Sequence, residues 1–302
     1  MTTILKAENL TKNYGEHRGI FDLSFEMVKG EVFGFLGPNG AGKTTTIRHL
    51  LGFSTPQKGS CSVLGFDCRT QQKEIQRYIG YVPGEIAFPD HLTGYEFLEQ
   101  ISDLREMTSL DRARELICML EFDPRGELKR MSKGMKQKIA LVTAFMHDPE
   151  IIILDEPTSG LDPLMQSRFV DLIKSEKARG KIIFMSSHMF DEVEKTCDRV
   201  AIIKQGHIVT EVLMKDIEHV KQKNYEIKLA TEDEFETFAS QTFDFTEINR
   251  EKLRVKINIH DDQINELLRT LSTFNVVYIS EIKYNLEQYF MHHYRKEDNA
   301  NV

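Results

Sequence analysis

The chain has 302 residues and a formal net charge of −8 at neutral pH. This charge argues against a nucleic acid as its main partner, because proteins that bind nucleic acids need a basic face. Its cysteines, at positions 61, 68, 118 and 197, lack CxxC spacing and predict reduced thiols in a cytosolic protein. We find neither an apolar export segment nor a run of about 20 apolar residues, so any activity at a membrane is expected to need a partner.

A glycine-rich loop near the start is the strongest motif. An apolar run at 32–36 precedes it and a helical pattern at 45–51 follows it. The glycines let the backbone wrap around a pyrophosphate, Lys43 can reach the terminal phosphates, and the Thr44 hydroxyl can ligate Mg²⁺. The alternative is a glycine-rich turn that only caps a helix. The pattern predicts a nucleoside triphosphate site made of Gly37, Pro38, Asn39, Gly40, Ala41, Gly42, Lys43, Thr44 and Thr45.

Short β-rich runs alternate with helical patterns up to about residue 210, which predicts a layered α/β body. A mostly helical insertion is expected at about 88–146, where Thr93 and Glu96 have the spacing of a capping box. Predicted strands, besides 32–36, are 4–10, 24–28, 61–63, 79–82, 150–154, 181–185 and 200–203.

Two acidic residues follow the buried strand at 150–154, at the end of the strand where open α/β sheets bind ligands. Asp155 is placed to hold Mg²⁺ opposite Thr44, and Glu156 to polarise a water that attacks the γ-phosphate. His188 follows the strand at 181–185 and is a candidate sensor of the γ-phosphate. The alternatives are a polar turn after the strand and a structural histidine.

A charged stretch from about residue 207, with Lys215, Asp216, Glu218, Lys221 and Lys223, is interpreted as a linker. The remainder predicts a compact βαββαβ unit with a closing helix at 286–294. We therefore expect two domains, residues 1–215 and residues 216–302. The predicted elements of the second domain are strands at 224–229, 243–248, 253–259 and 276–282 and helices at 232–239 and 261–271.

The motifs together resemble the ATP-binding cassette proteins that power ABC transporters. Residues 131–137 are similar to the family signature, residues 159–162 to its D-loop, and His188 to its switch histidine. Tyr14 matches the aromatic residue that stacks on adenine. The resemblance covers about residues 2–215. It implies a P-loop NTPase cassette of α/β class with an antiparallel β subdomain and a helical insertion, followed here by a small α+β, ferredoxin-like domain.

The resemblance also implies the cofactors and partners. Ser132 can cap the helix that begins near Lys133, so its hydroxyl, the Gly134 amide and the helix N-terminus form an anion site. In the family that anion belongs to ATP on a second cassette, which implies a head-to-tail dimer around two MgATP with Asp162 acting across the interface. The other implied partner is a separate transmembrane permease. The chain would then be cytoplasmic and peripheral on the inner face of the membrane. A solvated basic helix face is the alternative for most of the neighbouring cations, Lys129, Arg130, Lys133, Lys136 and Lys138.

One departure concerns the glutamine that the family carries after the strand at 79–82. This chain has Gly84 there, followed by Glu85. Our hypothesis is that Glu85 or a water substitutes, so that metal affinity or turnover is weakened while ATP binding survives. The alternative is a flexible hinge.

Three function classes remain at this stage. The first is the ATPase subunit of an exporter, with a cleft at 87–99 that receives a permease segment; the tail at 285–290 resembles exporter-type appendages. The second is a cassette protein that acts without a membrane, in translation or DNA repair. The third is a nucleotide-gated regulatory module with little turnover.

Overall fold

The computed structural model describes residues 3–16, 18–218, 222–282, 286–287 and 289–290. The chain divides into two compact units, Met1–Met214 and Lys215–Val302. The strands of the first unit are β1 (Thr3–Asn13), β2 (Gly19–Val28), β3 (Val32–Leu36), β4 (Lys58–Val63), β5 (Phe66–Asp67), β6 (Ile79–Val82), β7 (Ile151–Asp155), β8 (Ile182–Ser187), β9 (Arg199–Lys204) and β10 (His207–Leu213). The helices up to residue 218 are α1 (Lys43–Leu50), α2 (Gln72–Gln76), α3 (Gly94–Leu104), α4 (Asp111–Met119), α5 (Lys133–Phe145), α6 (Pro163–Ala178), α7 (Phe190–Thr196) and α8 (Met214–Glu218).

A six-stranded sheet of order β10-β9-β3-β8-β7-β6 forms the centre of this unit. Strands β6, β7, β8, β3 and β9 are parallel, and β10 pairs with β9 in the antiparallel sense. Every residue of β3, β7 and β8 is buried, which explains their continuous apolar runs, since strands covered on both faces need no polar side. The carboxyl ends of β3, β8 and β7 are therefore neighbours.

An antiparallel sheet of order β2-β1-β4-β5 packs against the central sheet. The ring of Phe25, on β2, lies 5.5 Å from that of Phe33, 5.7 Å from that of Phe35 and 5.8 Å from that of Phe184, centroid to centroid. All four side chains are buried. This aromatic cluster joins the two sheets directly beneath the loop that follows β3, and it agrees with the expected antiparallel β subdomain.

The predicted helical insertion contains α3, α4 and α5. Thr93 caps α3 as expected: its Oγ1 accepts the N–H of Glu96 at 3.2 Å, and the Glu96 carboxylate accepts the N–H of Thr93 at 2.7 Å. Helix α5 returns the chain to the central sheet, where β7 begins.

The second unit follows the predicted βαββαβ order. Its elements are β11 (Gln222–Leu229), α9 (Glu232–Ala239), β12 (Asp244–Asn249), β13 (Arg254–His260), α10 (Ile264–Leu271) and β14 (Val276–Ile282). The four strands form an antiparallel sheet of order β12-β13-β11-β14. Its core contains Phe235 and Phe238 from α9 and Leu267 from α10.

The linker prediction is wrong in part. Strand β10 runs through residues 207–213 because it pairs with β9, residues 214–218 form α8, and Lys223 lies within β11. Lys221 lies outside the described residues. Of the predicted closing helix, residues 286–287 and 289–290 are described and are helical, and the remainder lies outside the described residues.

Candidate nucleotide site

The glycine-rich segment forms a loop between β3 and α1, and α1 begins at Lys43. Gly42 has a φ of 114°. A Cβ at this position would lie 2.8 Å from Ile20 Cγ2 and 3.2 Å from the carbonyl oxygen of Gly19, so only glycine fits between the loop and the start of β2. The predicted residues 37–45 therefore lie together as one curved segment with the N-terminus of α1 at its end.

The Lys43 side chain is 5% exposed and lies inside this loop. Its Nζ donates to the carbonyl oxygens of Gly37 at 2.7 Å and Pro38 at 3.2 Å. The same Nζ lies 3.2 Å from Oε1 of Glu156. A buried ammonium at the centre of a loop of backbone groups is suited to hold the charge of a triphosphate.

Thr44 and Asp155 meet although they are 111 positions apart. Thr44 Oγ1 donates to Asp155 Oδ2 at 2.7 Å, and Ser186 Oγ donates to Asp155 Oδ1 at 2.5 Å. Asp155 is 1% exposed. A hydroxyl and a carboxylate are oxygen ligands of the kind that Mg²⁺ prefers, and Mg²⁺ commonly takes its other ligands from phosphates and water. The residues present fit a magnesium ion.

Glu156 joins the phosphate loop to His188. Its Oε1 is the partner of Lys43, and its Oε2 lies 3.1 Å from Nδ1 of His188. Glu156 has a φ of 49°, an uncommon conformation for a residue with a side chain, and its N–H donates to the carbonyl oxygen of Ser186 at 3.1 Å. The His188 side chain is half exposed. A carboxylate and an imidazole thus face the same space beside Lys43.

Gly84 lies against the carboxylate of Asp155. A Cβ at position 84 would lie 3.1 Å from Asp155 Oδ2 and 3.2 Å from its Cγ. Both Gly84 and the adjacent Glu85 are exposed. The pairing of β6 with β7 causes this approach, because it aligns Val82 with Leu154. The sequence departure therefore falls directly beside the predicted metal ligand.

Ser132 and Gly134 lie at the start of α5, and Gly134 packs against the segment 159–162. Ser132 Oγ accepts the N–H of Met135 at 3.2 Å, so Ser132 caps α5 as predicted. A Cβ at Gly134 would lie 2.7 Å from the carbonyl oxygen of Gly160. Asp162 caps α6, since its Oδ1 accepts the N–H of Met165 at 3.0 Å. Ser132 and Asp162 thus each cap their own helix, and Gly134 packs against the segment before α6.

Tyr14 lies in the turn between β1 and β2, where its side chain is 52% exposed. Its N–H donates to the carbonyl oxygen of Arg18 at 2.8 Å, and Lys12 Nζ lies 5.7 Å from the centre of its ring. The same turn leads to Gly19, whose carbonyl oxygen lies against Gly42. The exposed ring is available for stacking on a planar ligand.

Sequence reasoning missed the residues that support the site. Ser186 holds Asp155, and Ser187 accepts the N–H of Gly37 through its carbonyl oxygen at 3.2 Å. Glu192, on α7, is buried and accepts a hydrogen bond from Ser187. The signal that could have revealed the two serines is the pair of hydroxyl residues at the end of β8, immediately before His188.

The parallel sheet, the loop between β3 and α1, and the acidic pair at the end of β7 define a P-loop nucleotide-binding protein. The family model for ABC transporter matches residues 20–159. The bacitracin transport ATP-binding protein BcrA of Bacillus licheniformis is 33% identical over 299 residues, which cover 96% of this chain and 97% of the relative. The linearmycin resistance ATP-binding protein LnrL of Bacillus subtilis (strain 168) is 36% identical over 211 residues, 68% of each chain.

A solved structure of an ATP-binding subunit of an ABC transporter matches with a TM-score of 0.66 and 30% identity, and covers 72% of this chain and 92% of that chain. The chain belongs to the ABC transporter ATP-binding proteins and is an ATPase of that family. Across the described ranges, no helix has both the length and the apolar character needed to cross a bilayer.

Proposed function

We propose that this chain is the ATP-hydrolysing subunit of an ABC exporter, in which two cassettes close around two MgATP and drive a separate membrane permease. The observation that carries the proposal is the chain of contacts from Thr44 to Asp155 and from Lys43 through Glu156 to His188. These contacts bring together the groups needed to hold a triphosphate, bind a divalent cation, orient a water molecule and stabilise developing charge.

Each group has one task in this mechanism. Tyr14 stacks on adenine, and residues 37–45 surround the phosphates with backbone N–H groups. Thr44 and Asp155 would hold Mg²⁺, which would supply positive charge to neutralise the phosphates.

Glu156 orients the attacking water, and His188 hydrogen-bonds the γ-phosphate as charge develops on it. Most of the rate enhancement comes from positioning.

A second cassette would complete the site. The N-terminus of α5, with the Ser132 hydroxyl and the Gly134 amide, is suited to hold an anion, and it lies against Gly160. A head-to-tail dimer supplies the missing phosphate from the partner's ATP, and Asp162 then lies at the same interface. ATP would stabilise the closed dimer, and hydrolysis would release it.

The permease is proposed as the second partner. The segment 87–99 lies at the start of the helical insertion, where the rings of Phe88 and Phe97 pack edge to face at a centroid distance of 4.8 Å. We propose that this segment receives a cytoplasmic part of the permease, which would place the chain on the inner face of the membrane. The relatives named for bacitracin transport and linearmycin resistance support the assignment to export.

The proposal is tested by purifying the chain with a permease encoded beside it and measuring ATP hydrolysis with and without that subunit. We expect Mg²⁺-dependent hydrolysis that the permease stimulates and that Glu156→Gln abolishes. The exposed acidic residue Asp191, on α7, provides the matched control, Asp191→Asn. Hydrolysis that survives Glu156→Gln would contradict the assignment.

A regulatory cassette with weak turnover is the second candidate, and Gly84 favours it. Glycine has no side chain that could contact a metal or the attacking water, although a Cβ added here would lie 3.1 Å from Asp155 Oδ2. Nucleotide-dependent dimerisation with almost no hydrolysis, even with the permease present, would support this candidate over the first.

A further inference from the structure

Two parts of the candidate nucleotide site meet at Ser187, the last residue of β8. Its carbonyl oxygen accepts the N–H of Gly37 at 3.2 Å, at the start of the phosphate loop. Its Oγ accepts the N–H of Met189 at 2.9 Å, which fixes the turn that contains His188. The position of Ser187 therefore sets where His188 stands relative to the phosphates.

Glu192, on the first turn of α7, holds the hydroxyl of Ser187. The residue is 6% exposed, and its Oε2 accepts a hydrogen bond from Ser187 Oγ at 2.5 Å. The Thr158 hydroxyl lies near this carboxyl, but the other oxygen, Oε1, is buried and makes no hydrogen bond of good geometry in the described part of the chain. A buried carboxyl with one unsatisfied oxygen destabilises the fold compared with an apolar side chain of similar volume. Packing alone does not explain this residue.

The surroundings favour the neutral form of this carboxyl. Burial raises the pKa of Glu192, and the charge of Glu156 acts in the same direction, while the hydroxyls of Ser187 and Thr158 and the charge of His188 oppose them. A neutral carboxyl can share the hydrogen bond with Ser187 without adding negative charge beside Glu156. A glutamine amide has nearly the same shape and the same hydrogen-bonding capacity toward a hydroxyl.

We propose that Glu192 is a positioning residue for ATP hydrolysis, which anchors Ser187 and thereby holds His188 beside Glu156. The proposal rests on the proposed function, because that function gives Glu156 and His188 their roles. Glu192 acts through Ser187 and does not contact the reacting atoms.

The test compares Glu192→Gln with Glu192→Ala in the full chain. We expect Glu192→Ala to lower kcat about tenfold or more, because displacing a catalytic group by a fraction of an ångström to 1 Å has effects of this size. Its KM for ATP should stay within about twofold of wild type, since the phosphate loop is intact, and Glu192→Gln should restore kcat. The neighbouring exposed residue provides the control: Asp191→Ala should leave kcat unchanged.

The route through Ser187 is tested by a double-mutant cycle. If Glu192 acts through Ser187, then Ser187→Ala lowers kcat by a similar factor and the double variant Ser187→Ala, Glu192→Ala is no slower than either single variant. Additive losses, or a kcat for Glu192→Ala close to that of wild type, would overturn the proposal. If Glu192→Ala does not fold, an unchanged kcat for Ser187→Ala overturns it instead.

His188→Ala, measured in parallel, separates this proposal from the function on which it rests. Loss of hydrolysis in His188→Ala with normal kcat in Glu192→Ala would overturn only the positioning role. Full activity in His188→Ala would overturn the assignment of the site itself.

Discussion

Nζ of Lys43 lies 3.2 Å from Oε1 of Glu156, so the cation of the phosphate loop and the proposed water-orienting carboxylate form a partly buried pair. The pair links the start of α1 to the residue that follows β7. Either residue can be removed separately, and the two removals should have different effects.

Lys43→Ala should weaken ATP binding by about 100-fold or more, because it removes the cation that pairs with the phosphates. Truncating one partner of a buried charge pair costs roughly 2–5 kcal/mol. Titration with a fluorescent nucleotide measures this directly. Lys58→Ala, which removes an exposed lysine on β4, is the control and should bind as the wild type does. Unchanged affinity in Lys43→Ala would rule out the assigned phosphate loop.

Glu156→Gln should lower hydrolysis by a factor of about 10²–10⁴, the range of a general base, while ATP binding persists. The closed dimer should then accumulate, because the step that opens it is blocked. Gel filtration with MgATP would detect the dimer, and ADP in place of ATP is the control. A variant that stays monomeric with MgATP as well as with ADP would contradict a nucleotide site shared between two cassettes.

Ser132→Ala should impair ATP-dependent dimer closure more than it impairs binding of the first ATP. The change also removes the cap of α5, at a cost of about 1 kcal/mol. Thr93→Ala is a matched control, since Thr93 caps α3 with the same hydroxyl-to-N–H distance of 3.2 Å. Both variants should lose similar thermal stability, and only Ser132→Ala should lose closure. Equal loss of closure in the two variants would assign Ser132 to stability alone.

Gly84→Ala and Gly84→Gln separate crowding from function beside Asp155. Both add a Cβ at 3.1 Å from Asp155 Oδ2, but only glutamine adds an amide that can reach the metal. We expect Gly84→Ala to lower the affinity for Mg²⁺ by up to about tenfold, the size of changes next to metal ligands. Gly84→Gln should have a higher metal affinity and a higher turnover than Gly84→Ala. If the two variants have the same metal affinity and turnover, the missing glutamine side chain does not weaken either property.

Protonation of His147 in the unfolded chain should lower the free energy of unfolding in mild acid. Burial lowers the pKa of His147 to about 4, with the positive charge of Arg105 acting in the same direction. Between pH 6.5 and 4 the unfolded chain binds a proton that the folded chain does not, so the free energy of unfolding falls as the pH falls. His147→Gln should flatten Tm against pH in this range, although His49, whose pKa burial also lowers, keeps part of the slope. The exposed His91→Gln is the control, and parallel curves for His147→Gln and wild type would contradict the prediction.

Local patterns predicted those parts of the molecule that local chemistry determines. The strand before the phosphate loop, the cap at Ser132, the capping box at Thr93, and helix α9 at residues 232–239 appear as expected. The sequence could not show contacts made by sheet pairing. The approach of Gly84 to Asp155 depends on the alignment of β6 with β7, and the burial of Glu192 depends on how α7 packs. Strand β10 was missed for the same reason, because its mixed sequence becomes a strand only beside β9.

The close approach of Gly134 to the Gly160 carbonyl, together with the 2.8 Å hydrogen bond from Lys133 Nζ to Ser159 Oγ, ties the beginning of α5 to the stretch that leads into α6. We expect a tilt of the inserted helices to move Asp162 with them, so that such a motion would reach the surface that we propose meets a second cassette.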